Sequence, residues 1–343
     1  MFSRSAEAGC RMKELLKESE TSIDEQVFAC MGPALALLRL ADGKNLNSHL
    51  IPSDKVATVQ LIHFVLVNGL AFVGAICCLV LAFVYPITWA EPFSLIVMWV
   101  ATGGIGISVG HHRLFTHRSF STFKPIRIAL GICGAMAGQG SLLYWVCIHR
   151  LHHQHSDEQL DLHSPRATNH TWRHRLGAFW HAHTGWIVRH DVPLPSRYAR
   201  DLLEEKVAMW INRYYLVCLL LGLLLPVAIG ALIYQTWQGA LICMLWGGFL
   251  RIFIGNNLTW SINSICHSVG YRTYTTTDQS CNNALLALPT FGEAWHNNHH
   301  AFSSSARFGI KWWELPFDSG YHFIRVLELL GLAWDVKRND SAA

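Results

Sequence analysis

Three histidine clusters dominate the chemistry of this chain: His112-Arg-Leu-Phe-Thr-His117, His149-Arg-Leu-His152-His153 and His296-Asn-Asn-His299-His300, which read HxxxxH, HxxHH and HxxHH. Neutral imidazole is the commonest metal-binding side chain, and eight of them beside apolar stretches imply a polynuclear metal centre at a bilayer surface. On a helix, residues three and four apart share a face, so each HxxHH run can point its three rings at one target. The first cluster differs, because five residues are a rotation of about 500° on an α-helix, which leaves His112 and His117 on different faces, with one of them beyond a helix end. His267 follows an apolar stretch and can add another imidazole. One HxxHH alone is as readily a solvated histidine group as a metal site; three on one membrane face are not. Imidazole suits zinc, copper, nickel and iron, but so many nitrogen donors exceed what one tetrahedral zinc uses, so two metals are expected.

These clusters must be positioned by membrane helices. The 343-residue chain is 51% hydrophobic and 15% charged, the composition of a membrane protein. Its net charge of +4 comes from basic residues dispersed among aromatics, which gives no reason to expect nucleic-acid binding. Its ten cysteines show no metal or redox spacing and read as small buried apolar residues. Five stretches approach the roughly 20 residues that a bilayer requires: 59–85, 92–110, 126–148, 214–234 and 239–262. If all five crossed, the first two clusters would lie on opposite faces and could not share metals. Demoting the Gly-rich stretch 126–148, with Gln139, Ser141 and Tyr144, to an interfacial or buried helix leaves four spans in two hairpins and all clusters on one side. That side carries Arg113, Arg118, Lys124, Arg150, Arg173, Arg175, Arg189 and Arg197, whereas the turns 86–91 and 235–238 hold no Lys or Arg, so the histidine side and both termini are expected in the cytosol. Residues 1–53 read as a cytosolic tail with no signal-peptide core, 54–337 as the membrane domain and 338–343 as a short C-terminal tail.

The runs GHHRLFTHRSF, WVCIHRLHHQHSD, TWSINSICHSVGYRTY and FGEAWHNNHHAF resemble the membrane fatty-acyl desaturases, specifically the Δ9 type, and the resemblance spans about residues 59–336. It implies an all-α integral membrane protein, four transmembrane helices with a cytosolic helical cap that houses two irons. Carried over motif by motif, the implied ligands are His112, His117, His149, His152, His153, His267, His296, His299 and His300, with Asn263 reaching one iron through a water. His111, His155, His163, His181 and His183 become candidates for orienting those ligands. Gln139, Trp145, Thr259 and Trp260 fall where the family shapes the bend of its acyl tunnel; read without the resemblance, they are interfacial aromatic packing with a buried polar pair. Such a centre would use O2 and two external electrons to remove two hydrogens from neighbouring methylenes.

Departures from the family pattern bear on the substrate. Cys147 and Gly140 stand where the animal acyl-CoA members place an Arg and an Asn against the CoA head group, and His190 replaces a Lys beside the matching Arg189. Phosphate recognition is thereby weakened, and the chain resembles bacterial and cyanobacterial members that act on lipid-linked chains, which suggests a bacterial-type cell membrane rather than the endoplasmic reticulum. Asp161-Leu162-His163 replaces the family's Asp-Pro-His, so the backbone angle that Pro would fix is left to other contacts. Only a short polar tail follows Trp334, with no haem or flavin module, so electrons are expected from an acidic carrier such as ferredoxin or a small b-type cytochrome. The rivals are a di-iron hydroxylase, acetylenase or ketolase, and more remotely a metal transporter, whose ligands would lie near mid-membrane.

Overall fold

The computed structural model describes residues 50–165 and 171–339, so nearly all of the expected N-terminal tail and the end of the C-terminal tail lie outside the described residues. Within them four helices are long and apolar enough to cross a bilayer: Ser53–Val84, Ala90–Thr116, Tyr215–Tyr234 and Trp237–Ser264. They pair as two hairpins, joined on one side by the turns at 85–89 and 235–236. The first span buries Val67, Ala71, Gly74 and Cys78, spaced alternately four and three residues apart, so one stripe faces the bundle. Leu66, Phe72, Leu79 and Phe83 between them are exposed, as lipid-facing residues must be. The third span repeats the device with Cys218, Gly222, Pro226 and Gly230.

The demoted stretch forms two short helices, Lys124–Ala135 and Leu142–His155, neither of which crosses. The first packs tightly on the second span, because a Cβ on Gly106 would stand 2.3 Å from the Cys133 carbonyl carbon. Side chains there would push the helix that carries His112 off its support. Gly138 and Gly140, at φ +80° and +96°, make the turn into the second helix, where the Leu143 amide, which has no partner within the helix, donates to Asn212 Oδ1 at 3.0 Å. Fully buried Arg251 of the fourth span holds this turn from below. It donates to the carbonyls of Gly247, Met136 and Gly222, and so ties the third and fourth spans to the turn that carries Gln139.

Two minimal antiparallel ladders close the cap. Leu50–Ile51 pairs with Val192–Pro193, so the cap engages the chain ahead of the first span. Ser121–Thr122 pairs with Ala333–Trp334. Beyond it, Lys337 donates to Ser119 O and accepts from Ala306 N, both at 2.8 Å, so the C-terminal segment braces the loops after the first and third histidine clusters. The main apolar core lies under the cap, where Leu114 and Phe115 meet Leu143, Val146, Leu151, Leu202 and Ile211.

Candidate metal centre

All nine expected imidazoles meet at one end of the spans, in two groups: His112, His117, His149, His153 and His299 in one, His152, His267, His296 and His300 in the other. Within each group the nearest ligand nitrogens all lie within 4.8 Å of one another. Neither HxxHH box points at one target as its spacing suggested. His149 and His153 serve the first group and His152 the second, while His299 separates from His296 and His300 in the same way. The reason is angular: adjacent residues on a helix diverge by about 100°, so the paired histidines at the end of each box flank two neighbouring sites.

The first box is corrected too. The second span is π-helical over Val100–Thr116, and the His117 amide donates to the His112 carbonyl at 3.1 Å, five residues back. A π turn brings residues five apart over one another, so the two rings lie 4.8 Å apart, edge to face. His117 does fall at the residue that ends the helix.

Carboxylates on three loops fix the rings from behind. Asp161 Oδ2 lies 3.0 Å from His152 Nδ1, Asp157 Oδ2 3.1 Å from His267 Nδ1, and Asp278 Oδ2 2.7 Å from His300 Nδ1. Glu293 contacts His112 Nδ1 and also binds Arg113. A carboxylate accepting from Nδ1 puts the imidazole proton there and leaves Nε2 as a bare lone pair. In the second group those lone pairs face each other: Nε2 of His152 and His300 are 3.3 Å apart. Two acceptors nose to nose repel, and a cation between them removes the conflict, so this donor set fits a metal; in the first group the fit rests on five imidazoles whose ligand nitrogens lie within 4.8 Å of one another.

The titration behaviour agrees. Burial pushes His149, His153, His296 and His299 well below the ordinary imidazole value, and neighbouring imidazoles push further, so these rings are neutral and ready to bind. Burial opposes ionisation of Asp161 and Asp278, yet the hydrogen bonds with His152 and His300, and those of the neighbouring backbone amides, outweigh it and hold both carboxyls far below their usual range.

None of these four carboxylates was assigned a role from the sequence. Asp161 belongs to the altered Asp161-Leu162-His163 element, and it still reaches His152 because its Oδ2 also accepts the Asp157 amide at 2.9 Å, which fixes the loop without Pro. Asp157 adopts a left-handed φ of +63° there, a conformation Asp tolerates. Of the five proposed orienting histidines, His163 alone touches both a ligand ring and a carboxylate, 4.6 Å from the His152 ring centre and 3.5 Å from Asp161. His155 pairs with Glu158, His181 with the Leu162 carbonyl, His183 with Ser264 and Asn257, and His111 packs against Trp145. Replacing Asp278 by Ala removes the acceptor behind His300, and metal retention against a chelator is expected to fall about 10- to 100-fold. Unchanged retention would mean that His300 is oriented by something else.

A cavity touches both groups, at His112 and His149 of the first and His152 and His296 of the second, and runs on into the membrane domain. It is lined by Trp99, Gly103 and Ile107 of the second span, Asn68 of the first, and Gly255 and Thr259 of the fourth. Gln139, Trp145, Trp260 and Asn263 join its wall beside His149, His152 and His296. Gln139 accepts from Trp145 Nε1 at 3.1 Å and donates to Thr259 Oγ1 at 2.8 Å, so the expected polar pair exists and lies on the cavity surface. Trp145 in turn stacks on His149, with ring centres 5.0 Å apart. Arg189 is not brought to the wall; it lies exposed on the cap, whereas Trp186 and Ile187 just before it line the cavity. His190 is buried, within 3.0 Å of Tyr144 Oη and the Trp186 carbonyl, and burial lowers its imidazole to about 4. The ring that replaces a lysine is therefore uncharged.

Comparison with known proteins points the same way. Residues 86–321 match the family described as fatty acid desaturase. The chain is 44% identical over 296 residues to a hex-5-enoyl-(acyl-carrier protein) acetylenase of Moorena producens, covering 86% of this chain and 91% of that protein. It is 38% identical over 280 residues to an sn-1 stearoyl-lipid 9-desaturase of Anabaena variabilis, covering 80% and 94%. It is also 38% identical over 251 residues to Delta-9 acyl-lipid desaturase 1 of Arabidopsis thaliana, covering 73% and 76%.

Proposed function

This chain belongs to the fatty acid desaturase family, and from that membership we propose that it introduces a cis double bond at the Δ9 position of a saturated acyl chain. One observation carries the reading: two groups of imidazoles, five and four, each give two rings to the wall of a cavity that continues between apolar spans. In this reading His112, His117, His149, His153 and His299 hold one iron, and His152, His267, His296 and His300 hold the other, with Asn263 contributing through a water. Two irons held there would supply the oxidation in which O2, two electrons and two protons remove two hydrogens from adjacent methylenes, giving an alkene and two waters.

The protein's own task is placement. An alkyl chain offers nothing to recognise except shape, so the cavity must hold one C–H pair against the imidazole groups and keep bulk water away. The Trp145–Gln139–Thr259 hydrogen-bond chain fixes the wall beside the metal groups, and Trp260 packs with Ile148 and Trp186 to seal the outer side. The neutral His190 and the absence of Arg189 from the wall argue for a lipid-linked substrate over acyl-CoA. Electrons come from a separate acidic carrier, ferredoxin or a small b-type cytochrome, reaching a site on the cytosolic face of a bacterial-type membrane. Imidazoles gathered at one end of the spans, not at mid-bilayer, speak against a metal transporter.

A second reading has its own support in the 44% identity to an acetylenase. The test is expression in a host that lacks a desaturase, followed by mass spectrometry of fatty acids within each lipid class. A Δ9 monoene on glycerolipids is expected. An acetylenic or hydroxylated chain would replace the desaturase reading with its rival, and product confined to CoA or carrier-protein pools would overturn the lipid-linked assignment.

A further inference from the structure

The nine-residue helix Trp172–Trp180 belongs to neither imidazole group, yet Trp172, Leu176 and Trp180 on it are 69%, 47% and 54% exposed. At about 100° per residue these three side chains fall within a stripe about 80° wide, with Arg173 just beyond one edge and Arg175 about 60° beyond the other. Ala178, roughly opposite, is the buried residue that faces the protein. An apolar stripe flanked on both sides by guanidinium groups is the pattern of a helix lying in a membrane interface.

Contacts made by the next turn of the chain fix the depth of this helix. There, His183 Nδ1 lies 2.9 Å from Ser264 Oγ and Nε2 lies 3.2 Å from Asn257 Oδ1. The His183 ring is also 6.1 Å from that of Trp260. All three partners belong to the last two turns of the fourth span, at the level where a span leaves the bilayer. Tryptophan favours that level. Among the described residues neither arginine meets a carboxylate, and the Arg173 guanidinium lies 5.5 Å from the Trp172 ring centre. The chain then continues to Trp186 and Ile187, which line the cavity.

We propose that the helix Trp172–Trp180 is an interfacial anchor whose Trp172, Leu176 and Trp180 insert among the acyl chains of the bilayer while Arg173 and Arg175 bind anionic phospholipid head groups. This sets the cavity wall at Trp186 and Ile187 at head-group level, where a lipid-linked chain reaches the cavity without leaving the membrane. That last step rests on the acyl-substrate reading above; the anchoring does not.

The test places a photoreactive phenylalanine analogue at position 172, 176 or 180 of the full-length protein in cell membranes, with exposed Trp312 replaced in the same way as the reference. Phospholipid adducts at the three helix positions and none at 312 are expected. Adducts to residues 1–49, to another protein, or to no lipid would overturn the anchor whether or not the protein is a desaturase. A second measurement reconstitutes the full-length Arg173→Gln/Arg175→Gln variant in phosphatidylcholine vesicles with and without phosphatidylglycerol, and reads the yield of lipid adducts at position 176. The wild-type preference for phosphatidylglycerol is expected to fall about thirtyfold in the variant, since each surface arginine contributes an attraction worth about fivefold. A preference that survives both substitutions would overturn the head-group assignment.

Discussion

Alanine at His300, or at His153, is expected to reduce double-bond formation to the background of the host while the protein stays in the membrane. The two positions sample the two groups separately. His300 belongs to the group of four, which has no imidazole to spare, and its loss leaves Asp278 Oδ2, now 2.7 Å from Nδ1, without that partner while Oδ1 keeps Thr276 and Ser280. His153 belongs to the group of five and is 2.9 Å from His299 and 3.0 Å from His149 through Nε2, so its removal opens the middle of that group. If each imidazole group holds one metal ion as proposed, metal bound per chain is expected to drop from about two to about one in either variant. His155→Ala is the control, since His155 pairs with Glu158 at 3.0 Å outside both groups and should leave product unchanged. Normal desaturation in the His153 or His300 variant would sink the ligand assignment.

The second large effect is on stability. Arg113 is fully buried at the end of the second span, pairs with Glu293 and with Asp318 at 2.9 Å, donates to the Ala306 carbonyl at 2.9 Å and lies 3.7 Å from the Phe308 ring centre. Replacing it by Met conserves much of the volume and leaves buried Asp318 and partly buried Glu293 without their cation, which should destabilise the protein by about 3–5 kcal/mol. Thermal unfolding in detergent measures this. The Arg113→Met/Asp318→Asn pair should recover part of the loss, because one orphaned charge is then gone. A melting temperature equal to that of the parent would show that the network does not hold the cap. Glu293 would also lose the partner that helps fix it on His112, so metal retention should weaken together with stability.

The features legible in the sequence are those that local spacing encodes. Hydropathy over about twenty residues locates the four spans, and the requirement that all histidines share a face removes 126–148 from them; the chain there breaks at Gly138 and Gly140 into two short helices. The nine imidazoles are legible because histidine is rare in such surroundings and these recur at helical intervals. The division into five and four is not, since it depends on which neighbour each of two adjacent rings meets across the fold. The carboxylates escape for a different reason: Asp157, Asp161, Asp278 and Glu293 stand singly in loops with no periodicity to mark them. One signal is available. The chain has only 23 acidic residues, and Asp157, Asp161 and Glu293 fall within eight positions of a histidine box, close enough to be tested as its supports. The amphipathic character of Trp172–Trp180 is hidden in a sequence reading that uses its basic residues only as markers of sidedness.

The π turn that closes the first box has a consequence for how that segment can vary. In the proposed ligand assignment its two imidazoles are the arms of a chelate, joined by a backbone ring that the His117 amide and the His112 carbonyl complete. A ring of this kind is defined by the number of its members, not by what they are. Leu114, fully buried in the apolar core, can give way to another residue of similar volume at modest loss. Adding or deleting a single residue between the two histidines breaks the ring and swings one arm away from the other. The segment is tolerant of identity and intolerant of length.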